Sequence, residues 1–157
     1  MSGTISSTKT EIVSSDLIDL AQEATDFLKW HFWCKSVNQG YLVRGWDGIL
    51  AIFYFEIQPD STNVDDTLWV IVGDIPPAYI DPVSCSNGIM ALEDYLYAMQ
   101  EWVDAVKSGN PVDDLIPVYR RHSLLRVPAT VEFAEMLESR LGFIREKIVS
   151  NYKQEMV

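Results

Sequence analysis

The chain has little of what catalytic and metal sites are usually built from: two histidines and two cysteines in 157 residues. Cys34 and Cys85 are too few for a disulfide scaffold and fit reduced thiols in a cytoplasmic protein. His31, Cys34, Cys85 and His122 could by count alone make a Cys2His2 site. No CxxC or HxxxH pair occurs, however, so no metal or other cofactor is expected. A G-x-S-x-G nucleophile elbow and a glycine-rich phosphate loop are also missing. Apolar runs are short: the longest, Gly48 to Phe55, is a strand's length, far below the roughly 20 residues of a membrane-spanning helix. The N-terminal MSGTISSTKTE lacks the apolar core of a signal peptide. Basic residues are few, 12 against 23 acidic, for a net charge of -11 and a pI near 4.4. Such a surface repels phosphate backbones and anionic lipid, which excludes nucleic acid and membrane surfaces as partners and suits a basic protein.

What remains is an ordinary globular composition, 48% hydrophobic and 22% charged, on a chain of single-domain length. Residues 1–13 are small and polar and are expected to be a flexible N-terminus, with one domain over 14–157. Ser14-Ser15 offers an N-cap with Asp16 and Asp19 in the first turn. Leu17, Leu20, Ala21, Ala24, Phe27, Leu28 and His31 recur at three- and four-residue spacing, which predicts a helix to about Val37. Its end, FLKWHFWC, carries Phe27, Trp30, Phe32 and Trp33, which cannot all share one stripe. In GYLVRGWDGILAIFYFEI, Asp47-Gly48 reads as a two-residue hairpin turn that pairs Trp46 with Ile49, Arg44 with Ala51 and Leu42 with Phe53. The strand after it is apolar on both faces, as is a third over Thr67 to Gly73, so both are expected to be covered on both sides. LWVIVGDIPPAYID then reads as a strand followed by a stiff proline exit.

NGIMALEDYLYAMQEWVDAVKSGNP predicts a second helix that buries Ile89, Leu92, Leu96, Met99, Val103 and Val106. Gly109 and Pro111 end it. VDDLIPVYRRHSLLRVPA, within 112–129, is compatible with two short strands or an ordered loop. Thr130 caps a last helix to about Gln154. The expected fold is therefore α+β: a three- to five-stranded antiparallel meander sheet packed with three helices, in the order α-β-β-β-α-(β-β)-α.

Each candidate for chemistry has a plain alternative. Cys85 precedes a helix, where a thiol becomes more reactive, but it also reads as a small residue in a loop. Glu93, Asp94, Glu101 and Asp104 have the spacing of a solvated helix face. Arg120, Arg121, His122 and Arg126 form a basic cluster that could clamp a carboxylate or phosphate, or pair with the acidic helices. Five tryptophans and seven tyrosines exceed what a core of this size needs and suit an interface.

FWC at Phe32–Cys34, together with WVIVGDIP over Trp69–Pro76, resembles small bacterial domains of unknown function that share a W-V-I-x-G-D-[I/L]-P segment. That resemblance implies an α+β fold and assigns no activity and no functional residue. By element order and acidity the chain is also similar to type III secretion chaperones and to acidic bacterial immunity proteins, an analogy of architecture only. The expectation is a non-catalytic, cytoplasmic module that binds another protein, with a second copy of itself as one candidate partner. Its interface would use the Trp30–Trp33 end of the first helix or the Ile75–Tyr79 segment. The competing expectation is a small-molecule pocket or enzyme site between Asp74–Tyr79 and Arg120–Arg126, lined by Asp74, Tyr79, Arg120, Arg121 and His122.

Overall fold

A computed structural model describes residues 4–7 (backbone only), 14–62 and 65–155. The elements are β1 (Thr4–Ser7), α1 (Ser15–Lys29), β2 (Cys34–Trp46), β3 (Leu50–Pro59), β4 (Thr67–Gly73), β5 (Ile75–Ile80), α2 (Gly88–Ser108), α3 (Val131–Phe143) and α4 (Ser150–Glu155). A π-helical stretch, Ile144–Val149, joins α3 to α4. The strands form one sheet in the order β1-β2-β3-β4-β5, an antiparallel meander with β1 added parallel to β2. The fold is α+β, as the residue pattern predicts. Of the expected flexible segment 1–13, residues 1–3 and 8–13 lie outside the described residues, while Thr4–Ser7 pairs with Gln39–Leu42.

The doubly apolar strands divide two cores between them. Ala51, Phe53, Phe55, Leu68, Val70 and Val72 face α1. Leu50, Ile52, Trp69 and Ile71 face α2 and α3. Burial of a large apolar side chain stabilises by roughly 1.5–3 kcal/mol, against about 0–1 kcal/mol for an exposed ion pair. Fully buried Phe27, Phe53 and Phe55 therefore matter more to this fold than its surface salt bridges. The helix signals act as read: Ser14, Asn87 and Thr130 accept from the backbone N–H groups of Leu17, Met90 and Phe133, and Gly109 ends α2 in the left-handed conformation. Among the described residues no helix is long and apolar enough to cross a membrane.

Three local expectations are corrected. First, α1 stops at Lys29, not Val37, because Cys34 to Val37 pair with β3 instead. Trp30, Phe32 and Trp33 fall in tight turns, where His31 donates to Leu28 and Cys34 to His31, while Phe27 stays on α1. Second, the β2–β3 loop has three residues, Asp47 to Ile49, with Gly48 at φ 73. Trp46 thus faces Leu50 and Gly45 faces Ala51, and an irregularity between Leu42 and Arg44 restores the Leu42–Phe53 pair. Third, the proline segment is itself a strand, β5, at the sheet edge. Proline lacks the N–H that an edge need not use, and Pro76 and Pro77 fall at the irregularity between the Ile71–Ala78 and Gly73–Ile75 pairs, where they blunt that edge. Of the two readings open for residues 112–128, the structure has the ordered loop, with one bridge, Tyr119 with Arg126, and no strand. This segment supplies Val118 to one core while Tyr119 packs against the other. It therefore wraps the β5 edge, and every β5 residue except Tyr79 is buried.

Candidate functional site

Glu23 and Phe27 lie four residues apart on α1, and His31 follows four further on in the turn that ends the helix, so the three line one side, which faces the wrapped edge. Around His31 the fold gathers rings from three places in the chain. Phe27, Trp33, Tyr79 and Tyr119 have centroids 4.8, 4.7, 5.3 and 6.1 Å from the imidazole. Trp33 and Tyr79 also stack edge to face at 4.9 Å. Two segments proposed from sequence as alternative interfaces, Trp30–Trp33 and Ile75–Tyr79, thus meet at one place.

His31 Nδ1 lies 2.8 Å from the carbonyl of Phe27. A carbonyl only accepts, so Nδ1 carries the proton and neutral Nε2 is a bare acceptor. That Nε2 is buried and has no hydrogen-bond partner among the described residues. Leaving such an atom unpaired costs about 1–3 kcal/mol. Burial lowers the histidine's pKa, outweighing its two backbone hydrogen bonds, so the ring is neutral at pH 7. Burial raises the Tyr79 hydroxyl, and Tyr119 adds to the effect.

Outward from this cluster, Trp30 is 44% and Phe32 90% exposed. Acids lie beside them, because β2 and β4 begin, and β3 and β5 end, at this end of the sheet. Asp60 donates its N–H to the carbonyl of Trp33 at 2.8 Å. The Asp65 carboxyl is raised, mainly by the charge of Asp81, which belongs to the turn after β5. A shallow groove of about 620 Å³ runs along this loop, lined by Lys35, Asp60, Asp65 and Asp66 among others.

One turn back along the stripe, Glu23 is buried and accepts two hydrogen bonds from Arg121, at 2.7 and 3.3 Å, with His122 Nε2 at 3.8 Å. The Arg121 pKa is raised first by its hydrogen bond to Glu23, with smaller contributions from Asp74 and Asp16. His122 has φ 59, so the loop tip adopts a conformation uncommon for a side-chain-bearing residue. Arg120 is exposed.

The residues proposed to line one pocket do not converge. Tyr79 belongs to the aromatic cluster and Arg121 turns inward. Asp74 and Ile75 lie at the opposite end of β5, where a groove of about 310 Å³ has Gly48 and Ile49 on one side and Arg140, Phe143 and Ile144 on the other. Arg140 Nε is 3.8 Å from Asp74 Oδ2. Cys85 is buried and donates to Asp94 at 3.0 Å, and its pKa is pushed up to about 11, mainly by burial. At pH 7 it is a neutral thiol, unsuited to attack. Among the described residues no group of three or more His, Cys, Asp or Glu is placed to hold a metal ion.

Sequence reasoning passed over Glu23 and Tyr119. The signal for Glu23 was present: an acid four residues before Phe27 and eight before His31, on the inward stripe. Nothing local marks Tyr119, which reaches the site only through the path of the 112–128 loop. No family model, no curated protein and no solved structure matches this chain.

Proposed function

We propose that this domain acts by binding another protein, and that its contact surface is the aromatic end formed by Trp30, Phe32, Trp33 and Tyr79. The observation that carries this reading is the contact of Trp33 with Tyr79 at 4.9 Å, in a turn whose Trp30 and Phe32 are 44% and 90% exposed. A large apolar ring fully in water contributes nothing to its own fold and is the usual anchor of an interface. The neighbouring Asp60, Asp65, Asp66 and Asp81 and a net charge of -11 favour a partner segment that combines basic and apolar residues. A second copy of the chain fits less well, since two such acidic ends repel. A cytoplasmic setting belongs to the same reading and is supported by two cysteines that are both free.

The test uses two synthetic peptides of equal length and leucine content, one with arginines and one with glutamates between the leucines. Tryptophan fluorescence and amide chemical shifts follow binding. The arginine peptide is expected to bind, more weakly as salt rises, and to shift amides around Trp30–Cys34 and Tyr79. The glutamate peptide is expected not to bind. Replacing Trp30 and Phe32 together by alanine should weaken binding about tenfold or more without altering the circular dichroism spectrum. Absence of binding, or binding indifferent to the double substitution, would remove the proposal.

A second reading, small-molecule binding, draws its support from the groove of about 310 Å³ between Asp74 and Arg140. Its far wall is α3 and not the Arg120–Arg126 segment.

A further inference from the structure

Resting on the protein-binding reading above, we infer that the site receives an arginine side chain of the partner. Trp33 and Tyr79 would stack on its guanidinium, and His31 Nε2 would accept one of its hydrogen bonds. The starting point is the orphan atom: an imidazole that is 8% exposed, with Nδ1 committed to Phe27 and Nε2 committed to nothing among the described residues. Native proteins rarely bury an acceptor without a partner. A phenylalanine would fill the same place among Phe27, Trp33, Tyr79 and Tyr119 without a bare acceptor, losing only the donor to the Phe27 carbonyl; the Nδ1 bond accounts for one face of the imidazole and not for Nε2. The histidine is thus poorly explained by packing and well explained by a donor that arrives later.

The surroundings select which donor. Trp33 and Tyr79 lie against the imidazole and both reach the surface. Aromatic faces attract a cation, and a planar guanidinium stacks on them while keeping several N–H groups to donate. Carboxylates stand at the rim, since Asp60 is bonded to the backbone of Trp33 and Asp81 lies two residues after Tyr79. Nε2 is buried under rings packed on the imidazole, so an arginine would reach it only as one of the two surface rings, Trp33 or Tyr79, turns aside. Neutral His31 is the form that works. Protonation turns Nε2 into a donor and sets a cation against a cation.

The direction with pH follows. Burial holds the His31 pKa below its ordinary 6.5, so binding should persist at neutral pH and be lost as pH falls through that lowered value. The titratable side chains facing His31 from β5 and from the 112–128 loop are Tyr79 and Tyr119, and phenols keep their proton below about pH 8. Only burial and backbone hydrogen bonds figure in the His31 shift, and no charged side chain does.

The experiment compares the arginine peptide with one in which every arginine is replaced by neutral citrulline. Wild type and His31→Phe are titrated from about pH 5 to pH 8, and the ¹⁵N resonance of His31 Nε2 is followed. Wild type should prefer the arginine peptide, lose it in acid, and show the Nε2 resonance move on binding. In His31→Phe, binding at neutral pH should weaken roughly tenfold, the scale of one hydrogen bond to a charged group, and its pH dependence should flatten. The raised carboxyl of Asp65 is common to both proteins and cannot produce that difference. If the arginine peptide binds, responds to the Trp30 and Phe32 substitutions, and leaves Nε2 unmoved and His31→Phe unimpaired, the arginine–His31 contact is wrong while the interface stands. If neither peptide binds, both fall. Should His31→Phe not fold, the wild-type Nε2 resonance decides alone, and an unmoved signal overturns the inference.

Discussion

Gly73→Ala is expected to destabilise the domain by about 3–5 kcal/mol, most of the stability a small protein has. Two costs add. Gly73 has φ 147, which a side-chain-bearing residue adopts only under strain of about 1–3 kcal/mol. A β-carbon there would also collide with the carbonyl oxygen of Ile49 and lie 2.5 Å from the α-carbon of Leu50. Both neighbours are backbone, so no rotamer change relieves the contact, and forced overpacking adds about 1–3 kcal/mol. Nor can the carbonyl retreat freely, because it accepts the N–H of Asp74 at 2.8 Å. Gly48→Ala is the control. It too has positive φ, 73, but nothing lies within 4 Å of its would-be β-carbon, so about 1 kcal/mol is expected. Urea denaturation of the three proteins checks both values. Equal losses at the two positions would show that the close approach at Gly73 is not what the chain needs a glycine for.

That glycine illustrates what a sequence does and does not reveal. In LWVIVGDIPP, alternation of Leu68, Val70 and Val72 with Trp69 and Ile71 marks a strand buried on both faces, and the two cores divide along those lines. Gly-Asp then marks a turn. What local pattern could not tell was that the chain turns straight back, because prolines argue against a strand unless it is known to be at an edge. The end of α1 failed for a related reason. Residues 30–33 are periodic enough to extend a helix, and only pairing of Cys34 with Pro59, far along the chain, decides otherwise. The site divides in the same way. The aromatic surplus and both candidate interface segments could be read from composition and spacing. Their meeting around His31 depends on α1 crossing the sheet from β2, where Leu17 lies on Gly45, so that its end reaches Tyr79 of β5, and on a loop of irregular backbone carrying Tyr119 over the edge.

Arg121→Ala is the second large effect, expected at about 2–3 kcal/mol. Glu23 has a side chain only 3% exposed, and Arg121 meets it with two hydrogen bonds. Removing one partner of a fully buried pair costs about 3–5 kcal/mol, because the remaining charge loses water and gains nothing. The arginine here is 39% exposed, so solvent already screens part of the interaction and water can reach part of the gap, which lowers the expected loss. Adding Glu23→Gln to Arg121→Ala should recover most of the stability, since the neutral amide removes the unpaired charge. Denaturation midpoints of both single variants and the double variant at neutral pH measure the coupling. A loss no larger than that of exposed Arg126→Ala would mean that the pair is ornamental. The consequence reaches the binding end as well. Arg121 is two residues from Tyr119, and through Glu23 it fastens the 112–128 loop to the α1 stripe that carries Phe27 and leads into His31. Releasing it should raise hydrogen exchange at the Arg120 and Val127 amides, which bond to Leu125 and Val118 across that loop. The ring of Tyr119 would then no longer be held over His31. The buried ion pair, remote from the exposed tryptophan and phenylalanine, is in this way a positioning contact for the aromatic end.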